Sequence, residues 1–223
     1  MKDTFTLLEN IVTVVIVLIL VTLGVLSYQQ VVDYARQKVC SVNLQALTAA
    51  AEAYALENDG FPSTLSQISP EDVKRAYASV LRKEGLGAKM AFWVLRVTSS
   101  DEAYAKFLTP TNLERYGASV EVFHCPADND NNSYAINAHV AGKKLNQIPE
   151  GTVIIVESDN PQGVAQSISD ITFRHRVSLF KPATLYSTKK KKVIRKEEGE
   201  AGDIAYYFTM GSSGDNNRDQ NRP

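Results

Sequence analysis

Apolar positions are spread very unevenly along this chain. From Asn10 to Val32 there are 23 residues without one charge, and their centre, IVTVVIVLILVTLGVL, is almost purely aliphatic. About 20 apolar residues cross the hydrocarbon core of a bilayer as a helix. Lipid also obliges the backbone to satisfy its own polar groups, so the segment is predicted helical despite its density of Val and Ile. A secretory signal would have a basic head, a shorter apolar core and a small-residue cleavage site behind it. Here the head is only Met1-Lys2-Asp3-Thr4, and SYQQVVDYARQ offers no persuasive site. The segment therefore reads as retained.

The helical pattern continues beyond the apolar run. Ser27 to Asn58 contains no Pro and no Gly and is rich in good helix formers. Cys40, Leu44, Leu47, Ala51 and Tyr54 form one stripe at helical spacing, and Val32, Ala35, Val39, Val42, Ala46 and Ala49 form another beside it. The stop signal is Asn58-Asp59-Gly60-Phe61-Pro62, with Gly60 suited to the helix C-cap. One helix from Phe5 to Glu57 would be 53 residues, roughly 80 Å long. The spacing predicts a membrane half followed by an amphipathic half that covers a globular head.

Behind Pro62 the pattern is that of a mixed domain. SPEDVKRAYASVLRKEG predicts a helix with Ser69 as N-cap and Pro70 in its first turn. AFWVLRV (91–97) and SVEVFHC (119–125) read as strands, with SSDEAYAKFL and TPTNLERYG as short helices between them. SYAINAHVAG, GTVIIVESD and ITFRHRVSLF are further strands, and KKKKVIRK is expected to pair with GDIAYYFTM as a hairpin. GSSGDNNRDQNRP has no apolar residue and reads as a disordered tail. The expected organisation is a leader (1–4), a transmembrane or filament-core helix (5–28), its amphipathic continuation (29–60), a head (61–210) and the tail (211–223). The fold class is α+β, a long N-terminal helix packed on an antiparallel sheet.

Composition removes several functions. Twenty-four Lys and Arg stand against 25 Asp and Glu, which gives no reason to expect a general nucleic-acid binder. Two cysteines exclude a disulfide-dense scaffold and any multi-Cys zinc module. No nucleophile elbow, P-loop, dinucleotide fingerprint or metalloprotease motif is present, so the chain is not expected to be an enzyme.

The start Phe5-Thr6-Leu7-Leu8-Glu9, the aliphatic run and the long helix ending in Asp59-Gly60-Phe61-Pro62 resemble the type IV pilin family, which includes the pseudopilins of type II secretion. Cys40-Ser41-Val42-Asn43-Leu44-Gln45, Phe123-His124-Cys125-Pro126-Ala127-Asp128 and Arg174-His175 are similar to motifs of pseudopilin-like members. The resemblance degrades after about residue 175, where a lysine-rich insertion intervenes. It implies a bacterial inner-membrane protein, single-pass with the head extracytoplasmic, that becomes a cell-surface or periplasmic filament. The implied partners are further copies in a helical homo-oligomer, other pilins or pseudopilins, the membrane assembly platform and a prepilin peptidase. That peptidase cuts before the matching Phe, whose new amine is methylated. Family members usually have Gly before the cut, whereas this chain has Thr4; the processing residues are Thr4 and Phe5, and both the cut and the intact forms stay open. A monomeric membrane-anchored binding module and a DNA-binding minor pilin are the rival readings.

Among candidate site residues, Phe5 and Glu9 would act in assembly. An acid within an apolar helix is costly at the bilayer centre and less so near the interface; Glu9 either reaches up to the headgroups or takes the role the resemblance implies, pairing with a neighbouring subunit's N-terminal amine. Cys40 and Cys125 either bridge helix to head, as an oxidising compartment allows, or remain two buried thiols. Asp128, Asp130 and Asn132 offer alternate hard oxygens of the type calcium takes, against the plainer reading of an Asn/Asp turn; no other cofactor is expected. Lys189 to Lys192 with Arg195 and Lys196 read as a solvated hairpin rather than a DNA contact. His124, His139 and His175 show no metal spacing with the cysteines or each other and are expected to be structural.

Overall fold

The computed structural model describes residues 7–98, 121–128, 133–160, 162–178, 181–189, 192–198 and 201–209. Helix α1 (Leu7–Glu57) runs 51 residues, about 76 Å at 1.5 Å per residue. Its halves meet different surroundings. Every described side chain from Ile11 to Val31 is exposed, whereas from Val32 onward Ala35, Val39, Val42, Leu44, Leu47 and Ala51 are buried. Among the described residues α1 is the one helix long and apolar enough to cross a membrane.

The two stripes of the upper half merge into one broad buried face because α1 is covered from two sides. Helix α2 (Pro70–Thr98) packs along one side and the sheet along the other. Small residues at Ala35, Ala46, Ala50 and Ala51 let these neighbours come close. The polar groups on that face are met: Asn43 Nδ2 donates to the His124 carbonyl at 2.9 Å, and the Thr48 hydroxyl bonds that of Ser187. Burying a hydroxyl or amide without such a partner would cost more than its packing returns.

The α1 stop differs from the expected one in its details. Asp59, not Gly60, takes the left-handed conformation (φ 58°), and its carboxylate pairs with Lys144. Gly60 serves another purpose, since a Cβ there would lie 2.8 Å from the Gly142 carbonyl oxygen. Phe61 N–H donates to the Lys143 carbonyl and Gly142 N–H to the Phe61 carbonyl, at 3.0 and 2.9 Å, so the two turns are locked together.

Helix α2 begins at Pro70, as the sequence predicts, but it does not end at Gly85. That residue breaks it (φ 64°, ψ −139°) and the chain re-enters a helix to Thr98. The strand expected at 91–97 is therefore helical. Ala88, Ala91, Phe92 and Leu95 are buried at three- and four-residue spacing against α1, while Met90, Trp93 and Val97 are exposed. A short apolar run does not declare its period, and packing on α1 decides it. Of the strand expected at 119–125, residues 119 and 120 lie outside the described residues and the rest is a 3-10 turn at Glu121–Phe123 leading into Cys125. The helices expected at 99–117 lie outside the described residues.

Among the described residues the sheet has six strands: β1 (Tyr134–Asn137), β2 (Val153–Glu157), β3 (Val164–Ala165), β4 (His175–Ser178), β5 (Lys181–Thr188) and β6 (Val193–Glu197). The order is β3-β1-β2-β5-β4, with β6 also on β5. It is mixed rather than wholly antiparallel, because β1 and β3 pair in parallel. Strands β2 and β4 take consecutive stretches of β5, near Tyr186–Thr188 and Lys181–Ala183. Strand β6 does not pair with 202–210 as expected but with Ala183–Ser187 of β5.

GDIAYYFT instead lies in helix α3 (Ala201–Thr209), with Ile204 and Phe208 one turn apart and buried against Ala135, Val153, Val156 and Tyr186, while Met210 lies outside the described residues. The head is thus three layers, α1 with α2, then the sheet, then α3. Both faces of β1 and β2 are covered, which explains the unbroken apolar run of VIIV. A long apolar N-terminal helix carrying an α+β head is compatible with a pilin-like fold.

Candidate functional site

Two regions concentrate chemistry, and the first is the projecting half of α1. Among the described side chains, fourteen large apolar or aromatic ones from Ile11 to Val31 are about half exposed or more. Covering each is worth about 1.5–3 kcal/mol, so leaving the rod in water would cost on the order of tens of kcal/mol. Polar groups within it are turned inward. Thr13 Oγ1 donates to the Glu9 carbonyl at 2.8 Å, and Thr22 Oγ1 reaches the Leu18 and Ile19 carbonyls at 3.0 and 2.9 Å. Such bonds to the preceding turn lower the cost of a hydroxyl in an apolar medium. Glu9 stands in the first turns of α1 and is exposed. Thr4 and Phe5 lie outside the described residues.

The second region is the junction of α1, the Cys125 turn, β2 and β4. A disulfide joins Cys40 to Cys125, with Cα atoms 5.4 Å apart across 85 residues of sequence. The Cys125 turn is held from three directions. Ser133 Oγ accepts the Cys125 N–H at 2.9 Å and donates to Asp128 Oδ2 at 2.7 Å, and Arg174 Nη1 donates to the Ser133 carbonyl at 2.7 Å. Arg174 Nη2 lies 2.9 Å from Asp128 Oδ2 and also pairs with Asp159. The described acid of the expected calcium loop thus already faces a buried guanidinium, which weakens its pull on a second cation. Asp130 and Asn132 lie outside the described residues.

Beside the disulfide sits a fully buried carboxylate. Glu157 Oε1 is 2.7 Å from His175 Nε2. Glu157 Oε2 accepts the Leu185 N–H at 2.9 Å and the Thr184 hydroxyl at 3.4 Å. Thr184 and Leu185 lie where β5 passes from β2 to β4, so this carboxylate fills the gap between two strands. Cys125 Sγ lies 3.6 Å from His175 Nε2 and 3.8 Å from Glu157 Oε1. The ligand atoms of Cys40, Cys125, Glu157 and His175 all fall within 4.8 Å of one another.

The members of this group come from α1, a turn, β2 and β4, and no local spacing links them. The only available signals were a Glu ending the apolar run VIIVE and the Arg174-His175 pair. The remaining histidines are placed differently. His139 meets Phe208 edge-on at 5.6 Å, and the carbonyl of His124 receives Asn43. Within the lysine run, Lys189 reaches the Ile148 carbonyl and Arg195 bonds Gln37 of α1 at 3.1 Å; Lys190 and Lys191 lie outside the described residues. Compared with known proteins, the chain matches no family model, no curated protein and no solved structure.

Proposed function

We propose that this chain is the structural subunit of a type IV pilus-like or pseudopilus filament. The carrying observation is the division of α1. From Val32 upward one helix buries a broad face against its own head, and from Ile11 to Val31 every described side chain is exposed. Lipid covers such a rod before assembly, and the same halves of sister chains cover it afterwards, with no change in the helix itself. The resemblance of Phe5 to Glu9 and of the Asp59 to Pro62 turn to pilin motifs supports the same reading. In it Glu9 sets the register between subunits, the head lies outside the inner membrane, and peptidase and assembly platform act on the N-terminal end.

Electron microscopy of sheared surface material, with mass mapping of the N-terminus, tests this. Fibres containing the chain are expected, with a methylated Phe5 start if the leader is cut. Copies found only singly in the bilayer, under conditions where the cell makes such fibres, overturn the proposal. Thr4 in place of the usual Gly favours the second reading, a monomeric anchored module that keeps its leader.

A further inference from the structure

We propose that the chain, when its disulfide is reduced, carries a zinc-type metal site formed by Cys40, Cys125, Glu157 and His175. This inference does not rest on the filament proposal. Two sulfurs, one imidazole nitrogen and one carboxylate oxygen are a donor set that tetrahedral zinc accepts. With zinc bonds of about 2.3 Å to sulfur and about 2.0–2.2 Å to nitrogen and oxygen, a tetrahedron has sulfur-to-nitrogen and sulfur-to-oxygen edges of about 3.5 Å. The edges from Cys125 Sγ to His175 Nε2 and Glu157 Oε1 are 3.6 and 3.8 Å. The Glu157–His175 contact, now a hydrogen bond of 2.7 Å, needs to open by about 0.7 Å toward the corresponding edge.

The surroundings are those of a built site. All four residues are buried. Glu157 is already oriented by the Leu185 N–H and the Thr184 hydroxyl on its other oxygen, the kind of outer support that fixes a ligating carboxylate. The ligands sit on α1, β2, β4 and a turn that Ser133 and Arg174 hold by hydrogen bonds of their own. An open groove of about 480 Å³ between α1 and the head reaches Ala127 and His175 and supplies a route inward.

The redox step is balanced by a dithiol. Its two electrons and two protons break the Cys40–Cys125 bond to give two thiols, and the dithiol closes to its own disulfide. Zinc then displaces the two thiol protons to solvent and undergoes no redox change, while His175 ligates through Nε2 as neutral imidazole. Disulfide and metal are thus alternative staples between α1 and the head, the metal serving wherever the thiols are reduced.

The test uses the full chain in detergent, oxidised or reduced and freed of reductant. It is titrated with Zn²⁺ alone against a chromogenic chelator, and with Co²⁺ alone for its absorption spectrum. One Zn²⁺ is expected per reduced chain and none per oxidised chain. The Co²⁺ form is expected to show the intense visible bands of a tetrahedral site and a thiolate charge-transfer band. His175→Ala and Glu157→Gln are each expected to lower Zn²⁺ affinity at least tenfold, no less than loss of an outer partner costs. Absence of stoichiometric Zn²⁺, or equal affinity in the Cys40→Ser/Cys125→Ser chain, overturns the proposal. Because those variants can lose their fold, the unsubstituted reduced chain is decisive: a Co²⁺ spectrum without the thiolate band overturns it as well.

Discussion

Gly60 and Gly142 approach so closely that a Cβ on Gly60 would stand 2.8 Å from the Gly142 carbonyl oxygen. The neighbour is backbone, held by paired hydrogen bonds between Phe61 and residues 142 and 143, and it cannot swing away as a side chain would. Gly60→Ala is therefore expected to destabilise the head by about 1–3 kcal/mol, the range for forced overpacking. Gly142→Ala strains the chain for a different reason, its φ of 69° with open space around it. Denaturant unfolding of both variants checks the pair; an unchanged midpoint for Gly60→Ala contradicts the close approach.

The Cys40–Cys125 bridge ties α1 to the head across a sequence separation of 85. In the chain-entropy account a loop of this length contributes roughly 4–5 kcal/mol. Reduction in the presence of a metal chelator is expected to lower the unfolding free energy by up to that amount, with a smaller loss if the unfolded chain stays compact. Non-reducing mass mapping after alkylation should find no free thiol before treatment and two after it.

What was legible beforehand follows the strength of local pattern. The rod is clear from the length of its charge-free aliphatic run, and its amphipathic continuation from a period of 3.6 repeated over several turns. The strand at Val153–Glu157 was clear because both its faces are covered. Central strand β5 was missed: KPATLYST opens on Lys-Pro and holds a single large aliphatic residue, Leu185, and it is interior only because β2, β4 and β6 all pair with it. AFWVLRV and GDIAYYFTM were misread because aromatic and β-branched residues favour strands on average, while burial at Phe92 and Leu95, and at Ile204 and Phe208, follows a helical period. The sequence offers the Cys40–Cys125 pair as a bridge, but not its meeting with Glu157 and His175, since topology alone brings those segments together.

Glu84 gives the head a pH dependence of definite sign. The hydrogen bond from Lys38 is the main reason its carboxyl is held below the ordinary value of 4.5; Gln45 Nε2, at 3.1 Å from the other oxygen, adds to it and burial opposes it. A carboxyl lowered on folding contributes stability that is fully present above its unfolded value and is lost as pH falls through the folded one. Glu84→Gln is expected to cost more stability at pH 7 than at pH 3. Urea unfolding at the two pH values measures the difference, and an equal cost at both contradicts the Lys38 pairing between α1 and α2.

Glu9 is where the filament proposal is most exposed to a genetic test. An acid at the edge of an apolar rod is tolerated by one isolated helix, because it can reach the headgroups. Once rods pack together the same carboxylate enters a medium of low dielectric, where an opposite charge nearby attracts it strongly and an unpartnered charge is costly. Glu9→Ala is thus expected to leave membrane insertion and head stability intact and to reduce incorporation into fibres by at least tenfold. Glu9→Gln should behave alike, since the amide keeps the shape and loses the charge. The measurement is the ratio of fibre-bound to membrane-bound chain in sheared and unsheared fractions of cells making either variant. A ratio equal to that of the unsubstituted chain removes Glu9 from assembly, and the filament reading would then rest on the apolar rod alone.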